Sequence, residues 1–299
     1  MEPSGTGPLG QSAVDAERAN GRPAPGLHVV ATPIGNLGDL SPRALSTLGG
    51  VDLVLAEDTR VTGRLLHRFN VKAPMLAYHD HNGERVRPGI LARLAAGEAL
   101  ALVSDAGTPC LADPGFKLVR AARAAGHPVF AVPGPSSIAA ALSVSGLPSD
   151  RFFFQGFLPA KAAARRRALA DLARVPGTLV FLEAPHRLRA TLEAAAAAFG
   201  PREAVVAREI TKLHEEVRAG LLPDLAAAYA EETDPKGEIV LLVGPAPEEA
   251  PLLEGAALEA ALDAAVARLG PSAAAAELAP LAGRPRRELY ALALGRKGG

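Results

Sequence analysis

The chain has no tryptophan, one cysteine and two methionines among 299 residues, and aromatic residues make up 4% of it. A single thiol, Cys110, excludes an intramolecular disulfide framework and a multi-cysteine zinc or iron–sulfur centre. It suits a reducing compartment, so the cytoplasm is the expected location. Three Tyr and nine Phe are too few for a platform on which successive bases stack, and Phe152-Phe153-Phe154 reads as strand core instead. An excess of charge of one sign is missing too. Lys plus Arg and Asp plus Glu number 32 each, so attraction to a polyanion has to come from local patches. Every apolar run is broken by charge, Gly or Pro well short of the roughly 20 residues that span a bilayer, so no membrane segment is expected. Residues 1–26 are rich in Gly, Pro, Ser and Ala, with neither a basic start nor an apolar core, and are expected to be a flexible extension.

What is present is 48% hydrophobic content arranged in short Val/Leu runs that alternate with Ala-rich stretches of helical length. That pattern predicts an α/β fold with mainly parallel sheet covered by helices. Strands are expected at 27–32, 51–56, 75–79, 99–104 and 129–132, with helices at 42–48, 60–69, 84–96, 115–125 and 137–145. Ser41-Pro42 supplies an N-cap followed by proline at the first helical position. Gly146-Leu147-Pro148-Ser149-Asp150 then interrupts the series. A second α/β series follows, with strands near 152–157, 178–183, 203–209, 214–219 and 238–243. Past Gly244-Pro245 the chain turns to Ala, Leu, Glu and Pro and reads as helices only, including Ser272–Ala282 and Arg286–Leu294 around a Gly283-Arg284-Pro285 turn. The expected organisation is an α/β domain over 27–147, a second over 148–246 and a helix-turn-helix-like appendage over 247–299.

In open α/β sheets the productive crevice lies beyond the carboxyl ends of the strands, so the residues after each strand are the informative ones. Thr32-Pro33-Ile34-Gly35-Asn36-Leu37-Gly38-Asp39 follows the first strand; it permits close backbone approach but has neither the Walker ending nor the G-x-G-x-x-G order. Ser104-Asp105-Ala106-Gly107-Thr108-Pro109 offers a carboxylate to ribose hydroxyls or an amine, or caps the next turn. Pro133-Gly134-Pro135-Ser136-Ser137 places hydroxyls at a helix start, and Glu57-Asp58-Thr59-Arg60 places two acids at a strand end. Arg60, Arg64 and Arg68 recur every four residues, one stripe on a predicted helix. Lys161, Arg165, Arg166 and Arg167 form a second basic cluster, and Arg284, Arg286, Arg287, Arg296 and Lys297 a third. Three such clusters on a neutral chain point to a polyanionic partner read through phosphate contacts. His79-Asp80-His81 aligns two imidazoles, but no third and fourth ligand follow at a known spacing, and no metal site is expected. Cys110 lacks an activating partner and reads as a small packing residue.

The ordered motifs VATPIGNLGDLSPRAL, LAEDTRVTGRLL, AYHDHN, LVSDAGTPCLADPG, VPGPSS, GLPSDRFFFQGFLPAK, LEAPHRL, AREITKLHEE and KGEIVLLV closely resemble those of the tetrapyrrole-methylase superfamily. Within it they resemble the bacterial 16S rRNA (cytidine-2′-O-)-methyltransferases, over about residues 27–294. The resemblance implies S-adenosylmethionine in a cleft between two α/β domains, a homodimer, and a cytidine ribose in the decoding region of 16S rRNA, within the 30S subunit, as acceptor. It places cofactor contacts at Pro33, Ile34, Val103, Ser104, Asp105, Thr108, Ser136, Ser137, Glu183 and Ile210. Glu183 departs from the methionine that tetrapyrrole enzymes commonly carry, leaving open whether its carboxylate faces the sulfonium or orients substrate. A ribose hydroxyl is a weak acid, so a proton acceptor is expected, with Glu57 and Asp58 as the candidates and His79 behind them. The His79-Asp80-His81 segment is expected to contact RNA or shape the cleft. A tetrapyrrole methylase and a non-catalytic, RNA-binding ribosome-assembly factor are the alternative readings.

Overall fold

The structure, a computed structural model, describes residues 22–246, 253–282 and 284–295. Residues 1–21 of the expected extension, Gly283 of the expected turn, and Arg296 and Lys297 of the third basic cluster lie outside the described residues. The chain divides into two compact units, one up to residue 246 and the other after it.

The first unit contains two sheets. One is formed by β1 (Gly26–Val30), β2 (Leu53–Ala56), β3 (Met75–Ala77), β4 (Ala99–Val103) and β5 (Val129–Val132), all parallel, in the order β3-β2-β4-β1-β5. Helices α1 (Pro42–Gly50) and α2 (Thr59–Arg68) cover one face, through Ala44, Leu48 and Leu66. Helices α3 (Gly83–Ala95) and α4 (Phe116–Ala124) cover the other, through Ile90, Leu94, Leu118 and Ala122. Burial on both faces explains why the strands read as continuous apolar runs. Connections leave β1 and β4 towards opposite sides of the sheet, which opens a crevice at their carboxyl ends. There Thr32 and Gly107 exchange main-chain hydrogen bonds, N–H to O, of 2.9 and 3.0 Å. Local signals act as the sequence predicts: Ser41 Oγ accepts from the Ala44 N–H at 3.1 Å with Pro42 at the first helical position.

The second sheet corrects the expectation of parallel pairing. Its order is β6-β7-β10-β8-β9, built from β6 (Phe152–Phe157), β7 (Thr178–Glu183), β8 (Glu203–Arg208), β9 (Glu216–Leu221) and β10 (Ile239–Val243). Only β6 and β7 run parallel; β7–β10, β10–β8 and β8–β9 are antiparallel. The short link between Arg208 and Glu216 allows a hairpin but no parallel crossover. Side chains alternate. Leu179, Phe181, Val206, Leu241 and Val243 face helices α6 (Ala162–Leu172), α7 (Leu188–Phe199) and α8 (Leu222–Glu231). Val180, Val205, Ala207, Val240 and Leu242 face the other way, onto Ile138, Ala141 and Leu142 of helix α5 (Ser137–Ser145) and onto Ile34 of the first lobe. The two lobes therefore share one apolar core.

Three expectations change on the edges. Phe152 and Phe153 are 51% and 42% exposed, because β6 is an edge strand, so only Phe154 of that triplet packs inward. Strand β3 stops at Ala77, which leaves His79 in the following loop. Arg165, expected on a basic surface, is buried at 8% exposure, with its Nη1 donating to the Ala160 carbonyl. The second unit consists, among the described residues, of helices α9 (Gly255–Leu269), α10 (Pro271–Ala282) and α11 (Arg286–Leu294) around a small core of Leu258, Leu262, Ala274, Leu278 and Leu289. There Arg286 reaches Ser272 Oγ at 3.1 Å, while Arg284 and Arg287 stay exposed. No helix among the described residues is long and apolar enough to cross a membrane.

Candidate active site

The carboxyl ends of β1, β2, β4 and β5 converge on a cavity of about 410 Å³ whose far wall belongs to the second sheet. Ile34 enters from the loop after β1, Glu57 from the end of β2, Asp105 and Ala106 from the loop after β4, and Ser137 from the start of α5. Leu182, Glu183, Ala207, Ile210 and Ile239 close it from the second lobe. Five of the ten cofactor residues named from the sequence thus line one cavity: Ile34, Asp105, Ser137, Glu183 and Ile210. Pro33 lines an adjoining one.

The remaining four are not among the residues that line either cavity. Val103 is buried in the first-lobe core. The buried Ser104 Oγ lies 3.3 Å from both the Ala106 and the Gly107 carbonyl oxygens, within reach of its one proton, and so shapes the turn that presents Asp105. Thr108 Oγ1 donates to the Pro135 carbonyl at 3.0 Å, fastening the loop after β4 to the loop after β5. Ser136 occupies the N-cap position of α5 without a side-chain capping bond.

The two acids at the end of β2 separate completely. Asp58 Oδ1 accepts from the Arg60 N–H at 2.8 Å and so caps α2, while its carboxylate pairs with the Arg60 guanidinium at 2.6 Å. The Arg60 side chain holds the Asp58 carboxyl well below the usual carboxylate range, which makes it a poor proton acceptor. Asp58 caps α2 and is not among the residues that line the cavity, so of the two acids named from the sequence only Glu57 faces it. Glu57 points the opposite way, as neighbours at a strand end do. Burial foremost, then the charges of Asp113 and Asp105, push its carboxyl above the ordinary glutamate value. Asp113, also in the cavity wall, is raised by burial and by Asp105 against the opposing hydrogen bond of Ser104. Asp105 itself accepts from the Asp58 N–H at 3.0 Å, which fixes it beside Glu57.

Glu183 has its carboxylate engaged within the chain. Its side chain has no exposed surface, and Oε1 accepts from the Ala184 N–H at 2.8 Å while Oε2 accepts from Thr191 Oγ1 at 2.6 Å. Arg187 Nε lies 3.1 Å from Oε1, an ion pair without hydrogen-bond alignment. The carboxylate is thus held by partners within the second lobe, while Glu183 is among the residues that line the cavity. His79 and His81 sit with ring centroids 5.9 Å apart, and no group of three metal-ligating side chains forms among the described residues. Cys110 is half-buried against Gly115, and burial pushes its thiol up.

Sequence reasoning missed Asp113, Gly237, Glu238 and Ile239, all in the wall. The last three lie at the start of a strand instead of following one: Gly237 and Glu238 precede β10, and Ile239 opens it. Because β10 runs antiparallel, its first residue Ile239 pairs with Glu183 at the end of β7 and with Arg208 at the end of β8. The signal was the KGEIVLLV motif, whose first residues approach the site.

Comparisons with known proteins agree with this architecture. The profile of the family described as Tetrapyrrole (Corrin/Porphyrin) Methylases matches residues 26–226. Ribosomal RNA small subunit methyltransferase I of Xylella fastidiosa (strain Temecula1) is 54% identical over 268 residues, which cover 88% of this chain and 97% of that protein. The crystal structure of uroporphyrin-III-C-methyltransferase from Thermus thermophilus is 25% identical, with a TM-score of 0.51 over 73% of this chain and 93% of its own. A second Thermus thermophilus structure of that activity, complexed with S-adenosylhomocysteine, shares the fold at 20% identity and a TM-score of 0.50, over 72% of this chain and 96% of its own.

Proposed function

The chain belongs to the tetrapyrrole (corrin/porphyrin) methylase family, and from that membership we propose that it transfers the methyl group of S-adenosylmethionine to a cytidine ribose 2′-oxygen of small-subunit ribosomal RNA. It is a methyltransferase, and the near full-length match to a small-subunit rRNA methyltransferase is the observation that carries the acceptor class. The ordered motifs support the finer assignment to a cytidine in the decoding region of 16S rRNA, presented by the 30S subunit.

The residues of the cavity suit the cofactor. Its volume falls in the range of about 300–1,000 Å³ that small-molecule sites occupy. Ile34, Leu182, Ile210 and Ile239 offer apolar walls to a planar base, and Asp105 offers acceptors to ribose hydroxyls or an amine. Glu57, Asp105 and Asp113 concentrate negative charge where a sulfonium needs it. When bound, the cofactor supplies a methyl on positive sulfur; its transfer forms an O–C bond, leaves the C–S electron pair on a neutral thioether and releases one proton from the acceptor. Glu57 receives that proton. Its raised affinity for protons brings it closer to the acceptor hydroxyl than an ordinary carboxylate, which is the direction general-base catalysis favours. Asp105 positions Glu57 through the shared turn, and the apolar walls exclude water from the reacting atoms.

Two further assignments rest on the motifs. The basic side chains Arg64, Arg68, Lys161, Arg166, Arg167, Arg284 and Arg287, all exposed, would meet phosphates, with Arg60 and Arg286 partly engaged within the chain. A homodimer would cover the edge of β6, where Phe157, 56% exposed, also borders the cavity. The deciding experiment incubates the protein with methyl-labelled cofactor and 30S particles lacking the modification, or a tetrapyrrole, and maps the label. Label on a cytidine ribose is expected. Label on the tetrapyrrole, or RNA binding that needs no cofactor and transfers nothing, would overturn the assignment.

A further inference from the structure

Beside the cofactor cavity lies a second one of about 440 Å³, and the two share Ile34, Asp105, Ala106 and Glu238 as a common wall. Its opposite side is helix α2, which presents Val61, Leu65, Arg64 and Arg68. Arg64 and Arg68 are exposed and stand one helical turn apart, with about 5–6 Å between Cβ atoms. The charges around this cavity differ in one respect. Arg60 spends its guanidinium on Asp58, and Lys212 spends its ammonium on Glu209 and Glu238, at 2.8 and 3.0 Å. No carboxylate among the described residues lies within 4.0 Å of Arg64 or Arg68. The cavity is thus polarised: two uncompensated cations on α2, and the Asp105 carboxylate on the wall shared with the first cavity, where Glu238 is paired with Lys212.

We propose that this second cavity seats the ribose and flanking phosphates of the acceptor nucleotide in a single-stranded RNA segment, with Arg64 and Arg68 as the phosphate ligands; the assignment rests on the methyltransferase reading above. The polarity sets the orientation. Phosphates are drawn to α2 and repelled from Asp105, while the sugar hydroxyl, a donor, is drawn to that acid and so faces the cofactor cavity. Leu37, Val61 and Leu65 give the sugar and base an apolar bed. The loop after β1 is held down on this bed because a Cβ at Gly35 would overlap Lys212 Cγ, and only glycine leaves that space to the lysine stem.

The test uses the full chain carrying Arg64→Ala with Arg68→Ala, against a control carrying Arg120→Ala with Arg123→Ala on α4, which covers the opposite face of the first sheet. S-adenosylhomocysteine binding, the KM and kcat for unmodified 30S particles, and the salt dependence of particle binding are measured for each. The α2 variant should raise the KM by about tenfold per arginine. Its log–log salt slope should fall by about 1.4, the loss of two phosphate contacts on a single strand. Its affinity for S-adenosylhomocysteine should stay within about twofold, since neither arginine lines the first cavity. An α2 variant with wild-type KM and slope overturns the assignment, as does an equal loss in the α4 control. If the wild type binds particles but transfers no methyl, the parent reading fails while the salt slopes of the two variants still decide whether α2 receives phosphates.

Discussion

Replacing Glu57 by Gln separates a proton acceptor from a mere wall residue. The substitution keeps size and hydrogen-bonding shape but removes the negative charge and the capacity to take a proton. Loss of a general base lowers kcat by about 10²–10⁴-fold, equivalent to about 3–5 kcal/mol of transition-state stabilisation. The stability effect runs in the other direction. Glu57 is raised in the folded chain by burial and by Asp113 and Asp105, so the native state binds its proton more tightly than the unfolded state does. Stability therefore falls as pH rises from the ordinary glutamate value through the raised one. Glutamine abolishes that loss: the variant should be at least as stable as the wild type at neutral pH, and the difference should vanish in acid. Single-turnover methylation of 30S particles from pH 5 to 9 reads the first effect, and urea unfolding at the same pH values reads the second. The wild-type rate should rise with pH along an acid limb that Glu57→Gln lacks. Asp113→Asn, which removes a charge that raises Glu57, should move that limb to lower pH. A Glu57→Gln enzyme within threefold of wild-type kcat, or one that keeps the acid limb, would refute the reasoning.

The other predictions concern the scaffold of the site. Asp58→Asn retains a good cap and should leave kcat within about twofold, whereas Asp58→Ala should cost about 1 kcal/mol in urea unfolding by uncapping α2. Glu183→Met, which installs the residue common in tetrapyrrole enzymes, strips Thr191 and Arg187 of their buried acceptor; it should cost about 3–5 kcal/mol, read as a lower urea midpoint. Gly35→Ala meets both a left-handed φ of 153° and the Lys212 stem, and should raise the KM for particles more than it weakens S-adenosylhomocysteine binding in calorimetry.

Much of this site was legible because the first sheet is parallel. In such a sheet every strand delivers its following loop to the same edge, so reading the residues after β1, β2, β4 and β5 found Ile34, Glu57, Asp105 and Ser137. The second sheet breaks that rule, and Gly237 and Glu238 were overlooked because β10 reaches the site with its start. Glu57 and Asp58 could have been told apart by period alone, since adjacent residues at a strand end project to opposite sides. Arg165 carried a similar warning: with Leu169 and Leu172 it falls at the spacing of one helical stripe, and that stripe is the buried one. The exposure of Phe152 and Phe153 was not legible, because which strand ends up at an edge is decided by pairing across the whole sheet.

The core common to both lobes has a mechanical consequence. Ile34, Ile138, Leu142, Leu147 and Ile210 are all buried where helix α5 rests against the second sheet. Wetting these five side chains would forfeit about 8–15 kcal/mol as an upper bound, comparable to the entire stability of a typical domain. The jaws are consequently welded, not hinged, and a donor seated between them would have to leave by breathing of the short rim segments instead of by a wholesale yawning of the halves. Turnover should then respond to stiffening or loosening of the stretch from Thr211 to Glu215, and hardly at all to solvents of high viscosity that brake large rigid-body swings.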